Sequence, residues 1–196
     1  MKADEAIAAW SQPGATDFIH PTRGIDEAAY WASGKNQAAL IGSVLPDGCK
    51  VMDFGCGDGR VAIPLRAIGY DVTAVDGSAA MIEALAVNEP ALTAFQSDGT
   101  DLGSHLGRRK MDAVYCLAVL IHLDYASAET LIRSLRAIVK KGGLLILDWP
   151  VADEPAEGVA WLDVTTWSQH QQDALIGELG LTRVDDAALP WQVYRA

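Results

Sequence analysis

Glycines recur at every second position after a short apolar run of the chain, residues 51–54. These glycines are Gly55, Gly57 and Gly59. Glycine lets the main chain turn sharply, and it lets a ligand approach the backbone where a side chain would clash. The next apolar run ends at Asp76, and a carboxylate at the end of a second strand is placed to accept the hydroxyls of a ribose. The pattern predicts a site for a nucleoside-type cofactor.

Other glycine-rich loops fit this segment less well. A dinucleotide fingerprint would place its third glycine at position 60, where the chain has Arg60. A phosphate-binding Walker loop would contain Gly-Lys-Ser or Gly-Lys-Thr, which the sequence lacks. Two alternatives stay open. One is a nicotinamide dehydrogenase, and the other is a plain tight turn in which Asp76 is a solvated loop acid or a helix cap.

The composition predicts one folded domain with an apolar core. The 196 residues are 50% hydrophobic and 21% charged, which is atypical of disordered chains and of collagen. There are 15 Lys and Arg residues against 26 Asp and Glu residues, a net charge of -11. Binding to nucleic acid phosphates needs clustered cations, so nucleic acid is an unfavoured partner. We expect a single domain over residues 1–196, with an N-terminal helical lid over 1–45 and a cofactor-binding core over 46–196.

The sequence contains no pattern for a membrane span, an export signal or a metal site. No apolar run approaches the ~20 residues that a membrane helix needs. Asp4 and Glu5 stand where a secretory signal would be apolar, and we therefore expect a cytoplasmic location. Cys49, Cys56 and Cys116 form no Cys-x-x-Cys pair and have no nearby histidine at ligand spacing, so we expect neither disulfides nor a bound metal.

Apolar runs of strand length alternate with helical patterns along the chain. The predicted strands cover residues 51–54, 72–75, 92–95, 113–119 and 144–147. The predicted helices cover residues 26–45, 79–87, 127–139 and 168–180. Continuous apolar strands that alternate with helices are typical of a doubly wound parallel sheet, which binds ligands at the carboxyl ends of its strands. Runs 182–187 and 191–194 are too close for a crossover connection, so we expect them to pair antiparallel.

The end of the predicted helix 127–139 has a distinct pattern. Lys140 and Lys141 would complement the negative end of the helix dipole. Gly142 or Gly143 would then provide the left-handed cap that ends many helices. We therefore expect a capped helix and a short loop before the strand at residues 144–147.

Taken in order, these segments resemble the class I methyltransferases that use S-adenosylmethionine. The resemblance is carried by residues 53–59, by Asp76 with Gly77 and Ser78, by 96–102, 111–123 and 141–147, and by the terminal hairpin. It implies an α/β, Rossmann-like, doubly wound sheet of seven strands, mostly parallel with an antiparallel C-terminal hairpin, in a single methyltransferase domain. It also implies S-adenosyl-L-methionine as the cofactor and S-adenosyl-L-homocysteine as the product.

The resemblance assigns cofactor contacts residue by residue. The implied cofactor-binding residues are Tyr30, Asp53, Gly55, Cys56, Gly57, Asp76, Gly77, Met81, Asp98, Gly99, Leu117 and Ala118. In this assignment the glycines approach the methionine portion of the cofactor, Asp76 binds its ribose, and Met81 packs beside its adenine. Asp98 contacts the adenine amino group, and the amide of Gly99 contacts a ring nitrogen of the adenine. The main chain at residues 117–118 faces the amino group of the cofactor.

Acidic side chains suit the positive charge of a sulfonium cofactor, and glycine amides near a helix start suit its carboxylate. The acids in question are Asp53, Asp58, Asp76 and Asp98. Tyr30, on the predicted helix 26–45, is placed to close over the cofactor. The alternative is that Trp31 packs in the core and Tyr30 lies at the surface.

Methyl transfer from a sulfonium needs mainly positioning, and it needs a base only where the acceptor must lose a proton. His122 is the candidate base because it follows the fourth strand on the side where an acceptor would enter. A structural hydrogen-bonding role is the alternative. His20 is either a second base on the lid or an ordinary loop residue. At the end of the fifth strand Asp148 and Trp149 are placed to line an acceptor pocket, and Trp161 to shape it, unless the tryptophans are core residues.

The segment after the fourth strand also limits the chemical class of the methyl acceptor. Enzymes of this type that methylate amino groups of nucleic-acid bases or glutamine usually carry two prolines and an aromatic residue there, and this chain does not. Cys116 also lacks the neighbouring proline of cytosine-ring methyltransferases. We therefore expect a small-molecule acceptor, with the oligomeric state left open.

Two alternatives to a small-molecule enzyme stay open. One is methylation of a protein or an RNA with the help of a partner. It would be supported by a basic patch made of Arg23, Lys35, Arg108, Arg109 and Lys110. The other is a non-catalytic binding subunit that keeps the methyltransferase fold.

Overall fold

Seven strands form one sheet in the residues that the computed structural model describes, 1–185 and 189–196. The strands are β1 (Lys50–Phe54), β2 (Asp71–Asp76), β3 (Thr93–Gln96), β4 (Met111–Cys116), β5 (Val139–Leu147), β6 (Thr182–Arg183) and β7 (Gln192–Arg195). Their order is β3-β2-β1-β4-β5-β7-β6. β1 to β5 are parallel, and β7 is antiparallel to both of its neighbours. This confirms the predicted Rossmann-like sheet with an antiparallel end.

The central strands are buried on both faces of the sheet. Val51 and Met52 are fully buried and belong to different core clusters, because successive strand residues point to opposite faces. Met52 shares its cluster with Val114 and Leu145, which occupy the same face of β4 and β5. Burial of both faces explains why these strands are continuous apolar runs and do not alternate between apolar and polar residues.

Helices cover both faces of the sheet. They are α1 (Ala3–Trp10), α2 (Glu27–Gly42), α3 (Ala62–Ala67), α4 (Ala79–Asn88), α5 (Leu102–Leu106), α6 (Tyr125–Ile138) and α7 (Gln169–Glu178), with 3-10 helices at Ala15–Phe18 and Leu120–His122. α2, α4, α6 and α7 confirm the four predicted helices, with ends shifted by at most three residues. Side-chain caps begin them, as where Asp26 accepts the amide of Ala29 at 3.0 Å.

The predicted ending of the helix 127–139 is wrong. α6 ends at Ile138 and β5 begins at the next residue, so Lys140 and Lys141 lie in a strand. Gly142 has a left-handed φ of +77°, but it lies within β5, where the register with β4 is irregular. The chain passes from helix to strand without a loop, which a Lys-Lys-Gly-Gly pattern does not distinguish from a capped helix end.

Two predicted strands extend beyond the ends of the observed ones. The fourth ends at Cys116 instead of residue 119, because Ala118 has φ +56°, which is incompatible with a strand. The strand predicted at 182–187 begins as β6 and pairs antiparallel with β7 as expected. Its last part, residues 186–187, lies outside the described residues.

The N-terminal segment has two parts with different neighbours. α2 packs against α3 and buries Tyr30, Ala38 and Ile41. α1 and the 3-10 helix Ala15–Phe18 instead border a cavity at the carboxyl ends of the strands. Within residues 1–185 and 189–196, no helix has the length and apolar character needed to cross a membrane.

Gly34 places α2 directly against the loop after β1. A Cβ atom at this position would lie 2.0 Å from the carbonyl oxygen of Arg60, a contact that only a backbone shift relieves. We expect Gly34→Ala to lower the free energy of unfolding by about 2 kcal/mol, measured by urea denaturation. The control is Gly177→Ala in α7, where no atom lies within 4 Å of the added Cβ and stability rises by about 0.5 kcal/mol. Equal effects of both substitutions would contradict this packing.

Candidate active site

A cavity of about 310 Å³ opens at the carboxyl ends of β1, β2 and β4. Most of the residues that the sequence predicted for the site line it. These are Asp53, Gly55, Cys56, Gly57, Asp76, Gly77, Met81, Asp98, Leu117, Ala118 and His122. Tyr30 and Gly99 are not part of this lining. The strand-end position agrees with the general location of ligand sites in open α/β sheets.

The glycine loop, residues 55–59, makes the sharp turn that its sequence predicts. Gly55, Gly57 and Gly59 have φ values of +82°, +55° and +95°, which side-chain-bearing residues rarely adopt. A Cβ atom on Gly55 would lie 2.1 Å from Cγ2 of Val119. The loop therefore needs glycine both for its backbone angles and for its contact with the segment after β4.

Asp76 connects the glycine loop to the start of α4. Its Oδ2 accepts the amide of Gly57 at 2.9 Å, and its Oδ1 accepts the amide of Ser78 at 2.9 Å. Burial raises the pKa of the Asp76 carboxyl, and these two hydrogen bonds oppose the shift. The side chain borders the cavity while it holds two main-chain segments in place.

Asp53 is the most deeply buried acid of the cavity wall, with 4% of its surface exposed. Burial raises the pKa of its carboxyl to about 7, and the nearby charge of Asp76 adds to the shift. A positive ligand beside Asp53 would favour the ionised form. This end of the cavity is therefore suited to a cation.

Tyr30 lies behind the glycine loop, outside the cavity lining. It is fully buried, and its hydroxyl donates to Asp58, which is also outside the lining. The guanidinium of Arg23 lies 4.3 Å from the centre of the Tyr30 ring, and its Nη2 is 3.4 Å from Asp58 Oδ2. Trp31 is partly exposed and donates to Glu27. The alternative with Trp31 in the core and Tyr30 at the surface is therefore wrong.

Arg60 is a cavity residue that sequence reasoning missed. It lines the cavity with 8% of its surface exposed, and its Nη1 donates to Ser33 Oγ at 3.0 Å. Its Nε is buried and has no hydrogen-bond partner in the part of the chain that the structure describes. The signal for Arg60 in the sequence is its place directly after the glycine loop, a position that the glycine spacing uses only to exclude a dinucleotide fingerprint.

The residues that the resemblance assigns to the adenine of the cofactor fall into two groups. Met81 and Asp98 line the cavity. Gly99 lies against Leu131, whose Cδ1 would be 2.6 Å from an added Cβ, and its amide donates to Ser97 Oγ at 3.0 Å. The amide of Gly99 is thus already hydrogen-bonded within the protein.

Ala118 has the one positive φ angle of a residue with a side chain in the described ranges, at +56°. Its amide donates to Oδ2 of Asp148 at 3.2 Å, which connects the end of β5 to the turn after β4. Asp148 itself is not part of the cavity lining. Trp149 is fully buried beside Trp167 and belongs to the core. Asp148 therefore supports the turn that borders the cavity.

The N-terminal segment forms the opposite wall of the cavity. An added Cβ on Gly77 would lie 2.6 Å from Ile7 Cγ1, so α1 rests directly on the loop after β2. Ser11 Oγ donates to Ser78 Oγ at 2.9 Å. Ile19 lies over Gly57, with its Cδ1 3.4 Å from the position of an added Cβ. The sequence predicted a lid over residues 1–45 but did not show that α1 forms this wall, since no motif marks it.

His122 lies in the 3-10 helix after β4 and lines the cavity. Burial lowers the pKa of its imidazole, and a backbone hydrogen bond with Asp163 opposes the shift. Its Nδ1 is buried and has no hydrogen-bond partner among the described residues. The ring of Trp10 lies 5.6 Å from it, between centroids. His20 is outside the lining, and its Nδ1 is hydrogen-bonded to Thr22.

Comparison with known families identifies the domain. A family model described as a methyltransferase domain matches residues 24–182, which is most of the chain. The chain belongs to this methyltransferase family. The match confirms the resemblance to class I S-adenosylmethionine-dependent methyltransferases.

Curated methyltransferases match about half of the chain. The chain is 36% identical over 102 residues to magnesium protoporphyrin IX methyltransferase of Arabidopsis thaliana, covering 50% of this chain and 32% of that protein. It is 31% identical over 102 residues to the ubiquinone biosynthesis O-methyltransferase of Rickettsia canadensis, with 50% and 41% covered. A 23S rRNA (uracil(1939)-C(5))-methyltransferase of Halomonas elongata is 33% identical over 124 residues, with 61% and 25% covered. The matched segments span less than half the length of these relatives.

A solved methyltransferase structure has the same fold over nearly the whole chain. It is magnesium protoporphyrin IX methyltransferase from Synechocystis PCC 6803 with bound S-adenosylmethionine. The TM-score is 0.71 at 19% sequence identity, and the superposition covers 98% of this chain and 95% of that chain. The likeness confirms the Rossmann-like methyltransferase fold, and the N-terminal segment is included in it.

The pKa of Asp53 makes the stability of this methyltransferase domain depend on pH. Folding raises this pKa from the ordinary ~3.9 to about 7. At pH values between these two, the folded chain keeps the proton on Asp53 and the unfolded chain has lost it. The contribution of Asp53 to the free energy of unfolding therefore falls as pH rises from 5 to 8. We expect Asp53→Asn to reduce this fall by about 3 kcal/mol in urea denaturation at the two pH values. The same fall in both proteins would contradict the assigned pKa.

Proposed function

We propose that this chain transfers a methyl group from S-adenosyl-L-methionine to a small-molecule acceptor and releases S-adenosyl-L-homocysteine. The observation that carries the proposal is the cavity itself. It brings together two glycines of the glycine loop, acids at the ends of two strands, and a histidine with an unpaired ring nitrogen. Membership of the methyltransferase family and the relatives that act on porphyrin and ubiquinone precursors support it.

The residues present fit the proposed cofactor. Gly55 and Gly57 line the cavity without side chains, which suits the close approach of a ligand tail to the main chain. Asp76 would hold the ribose, Met81 and Asp98 the adenine, and the main chain at Leu117 and Ala118 the amino group. Tyr30 and Gly99, which are outside the lining, would act by supporting the loops that make these contacts.

Electrostatics favour a positively charged ligand at this site. When bound, S-adenosylmethionine supplies a methyl group on a positively charged sulfur. Asp53, Asp76 and Asp98 line the cavity and stabilise such a charge. Asp58 does not take part directly, because it is hydrogen-bonded to Tyr30 behind the loop. Arg60 lines the same cavity and provides the one guanidinium among the described lining residues, suited to a carboxylate.

His122 would accept a proton from the acceptor. A buried imidazole with a lowered pKa is neutral at pH 7 and therefore able to take up a proton. Its position in the 3-10 helix after β4 places it beside the ring of Trp10. Positioning of the acceptor against the methyl group would provide most of the remaining acceleration.

The N-terminal segment would act as a cover for this site. α1 and the 3-10 helix Ala15–Phe18 contribute apolar side chains to the cavity wall, whereas α2 packs against α3 with the core. The proposed domain extends over residues 1–196, with the cover at its start. The cytoplasmic location expected from the sequence stays a prediction.

Action on RNA has one supporting observation, the likeness to an rRNA methyltransferase. The proposed basic patch does not favour it. Arg108, Arg109 and Lys110 come directly before β4, so they lie at the amino end of that strand, opposite the cavity. Arg23 is held against Asp58 and Tyr30. The net charge of -11 also disfavours binding to a phosphate backbone.

Calorimetric titration with S-adenosylmethionine and S-adenosylhomocysteine tests the proposed function directly. We expect micromolar binding of both and no binding of NAD, which would exclude a dehydrogenase. Asp76→Ala should weaken binding at least ten-fold, since it removes the carboxylate that holds the loop and faces the cavity. Asp71→Ala, at the exposed start of the same strand, is the control and should bind normally. A folded wild-type protein that binds neither compound would refute the proposal.

The proposed base can be examined without knowing the acceptor. We expect the imidazole of His122 to titrate below the ordinary ~6.5 in NMR spectra, because burial disfavours its charged form. Disappearance of the resonance in His122→Gln would assign it. A titration midpoint above 6.5 would mean that His122 is charged at acidic to neutral pH and unsuited to accept a proton.

A further inference from the structure

We infer that the N-terminal cover holds the cavity in a closed state and must move away before a ligand can bind. The cover consists of residues 3–19, which include α1 and the 3-10 helix Ala15–Phe18. The inference rests on the proposed function and concerns the regulation of the same site. It follows from side chains of the cover that occupy surfaces a ligand would use, from the contacts that fasten the cover, and from its small buried area.

Two isoleucines of the cover lie directly on the loops that a cofactor would contact. Ile7 lies against Gly77 in the loop after β2, with its Cγ1 2.6 Å from the position of an added Cβ. Ile19 lies against Gly57 in the glycine loop, with its Cδ1 3.4 Å from such a position. Both glycines line the cavity, and a glycine lets a ligand approach the main chain closely. In this state, side chains of the protein itself take part of that space.

Trp10 of the cover closes the cavity beside His122. The two rings lie against each other, with centroids 5.6 Å apart. Nδ1 of His122 is buried and has no hydrogen-bond partner among the described residues, so a ligand does not reach it in this state. A general base must come within hydrogen-bond distance of the proton that it removes. Departure of the cover would take the Trp10 ring away from this imidazole.

Two sets of contacts fasten the end of α1 to the rest of the domain. The hydroxyl oxygens of Ser11 and Ser78 are 2.9 Å apart, and Ser78 Oγ donates to the carbonyl of Trp10 at 3.3 Å. Trp161 packs edge-on against Trp10 and Phe18, with ring centroids 5.4 Å and 5.0 Å away. We call the pair Ser11 and Ser78 the latch. A single hydrogen bond between hydroxyls makes the latch easy to open.

α1 is weakly anchored compared with the helices that pack on the sheet. Ala6 is the one buried residue of this fully described helix, whereas α6 buries five residues. Gly24, between the cover and α2, has a φ of +75°, so a turn connects the two segments. Segments with few buried contacts open at a lower free-energy cost than the core does. The cover therefore opens while the sheet stays folded, and the open fraction limits the rate of ligand binding.

A reversible cross-link across the latch tests the inference. Because the two hydroxyl oxygens are 2.9 Å apart, the thiols of the double variant Ser11→Cys/Ser78→Cys lie close enough to form a disulfide, which mass spectrometry verifies. We expect the oxidised protein to bind S-adenosylhomocysteine at least ten-fold more slowly than the reduced protein in stopped-flow tryptophan fluorescence. Reduction should restore the rate. Ser11→Cys alone is the control for the native cysteines and should bind at the same rate with and without oxidant.

Removal of the latch should have the opposite effect. We expect Ser11→Ala to bind S-adenosylhomocysteine about three-fold faster, because it loses the contact with Ser78. Ser43→Ala is the matched control and should bind at the wild-type rate. Both hydroxyls donate to a carbonyl of their own helix at 2.7 Å, that of Ile7 or of Leu40, but Ser43 lies at the end of α2 and outside the cavity.

Amide hydrogen exchange measures the opening without any ligand. We expect the amides of α1 to exchange at least ten-fold faster than those of α6, because α1 opens without global unfolding. In the oxidised double variant the exchange of α1 should slow at least ten-fold, whereas the exchange of α6 should not change.

The outcomes separate the two proposals. If the oxidised double variant binds S-adenosylhomocysteine as fast as the reduced one, the cover does not need to open, and the inference is wrong while the proposed function stands. Exchange of α1 and α6 at equal rates would also overturn the inference, since it would mean that α1 opens only when the whole domain unfolds. If the folded wild-type protein does not bind S-adenosylhomocysteine, the proposed function is wrong, and the exchange rates alone decide whether the cover opens.

Discussion

Two oxygen-bearing groups at the end of β2 hold the glycine loop in place. The carbonyl of Val75 accepts the amides of Gly55 and Cys56 at 2.8 and 3.0 Å, and the carboxylate of Asp76 accepts those of Gly57 and Ser78. These bonds fix the turn after β1 against the start of α4. The floor of the cavity, the acids beside it and the N-terminal cover are all arranged around that turn. A change that releases the loop would remove the site and leave the sheet intact.

The cavity is chemically divided. Its wall near β1 and β2 carries acids, of which Asp53 and Asp76 are the most buried, and it suits a cation with an anionic tail near Arg60. The other end is aromatic and carries one neutral, unpaired imidazole from His122. The two parts of this one space therefore differ in charge and in polarity. Trp10 brings these parts together, because its carbonyl accepts from Ser78 while its ring faces His122.

Much of the fold follows from local sequence. Strands buried on both faces must be apolar throughout, so β1, β2 and β4 stand out as runs bounded by glycine or aspartate. Side-chain caps such as Asp26 and Ser78 mark helix starts, because they satisfy amides that have no partner inside the helix. The helix end near Lys140 was predicted wrongly, because a cationic pair followed by glycines is compatible with a bulged strand as well as with a capped helix.

The sequence by itself determined the cofactor side of the site, since glycine spacing and strand-end acids are local patterns with a direct physical meaning. Only the tertiary structure decided which residues face the cavity. Arg60 is turned inward by its contact with Ser33, whereas Tyr30 is turned away by its bond to Asp58. The aromatic part of the cavity depends on distant segments, because Trp10 of α1, His122 after β4 and Trp161 meet only in the folded chain. Such contacts arise from packing between remote parts of the chain, which no local pattern encodes.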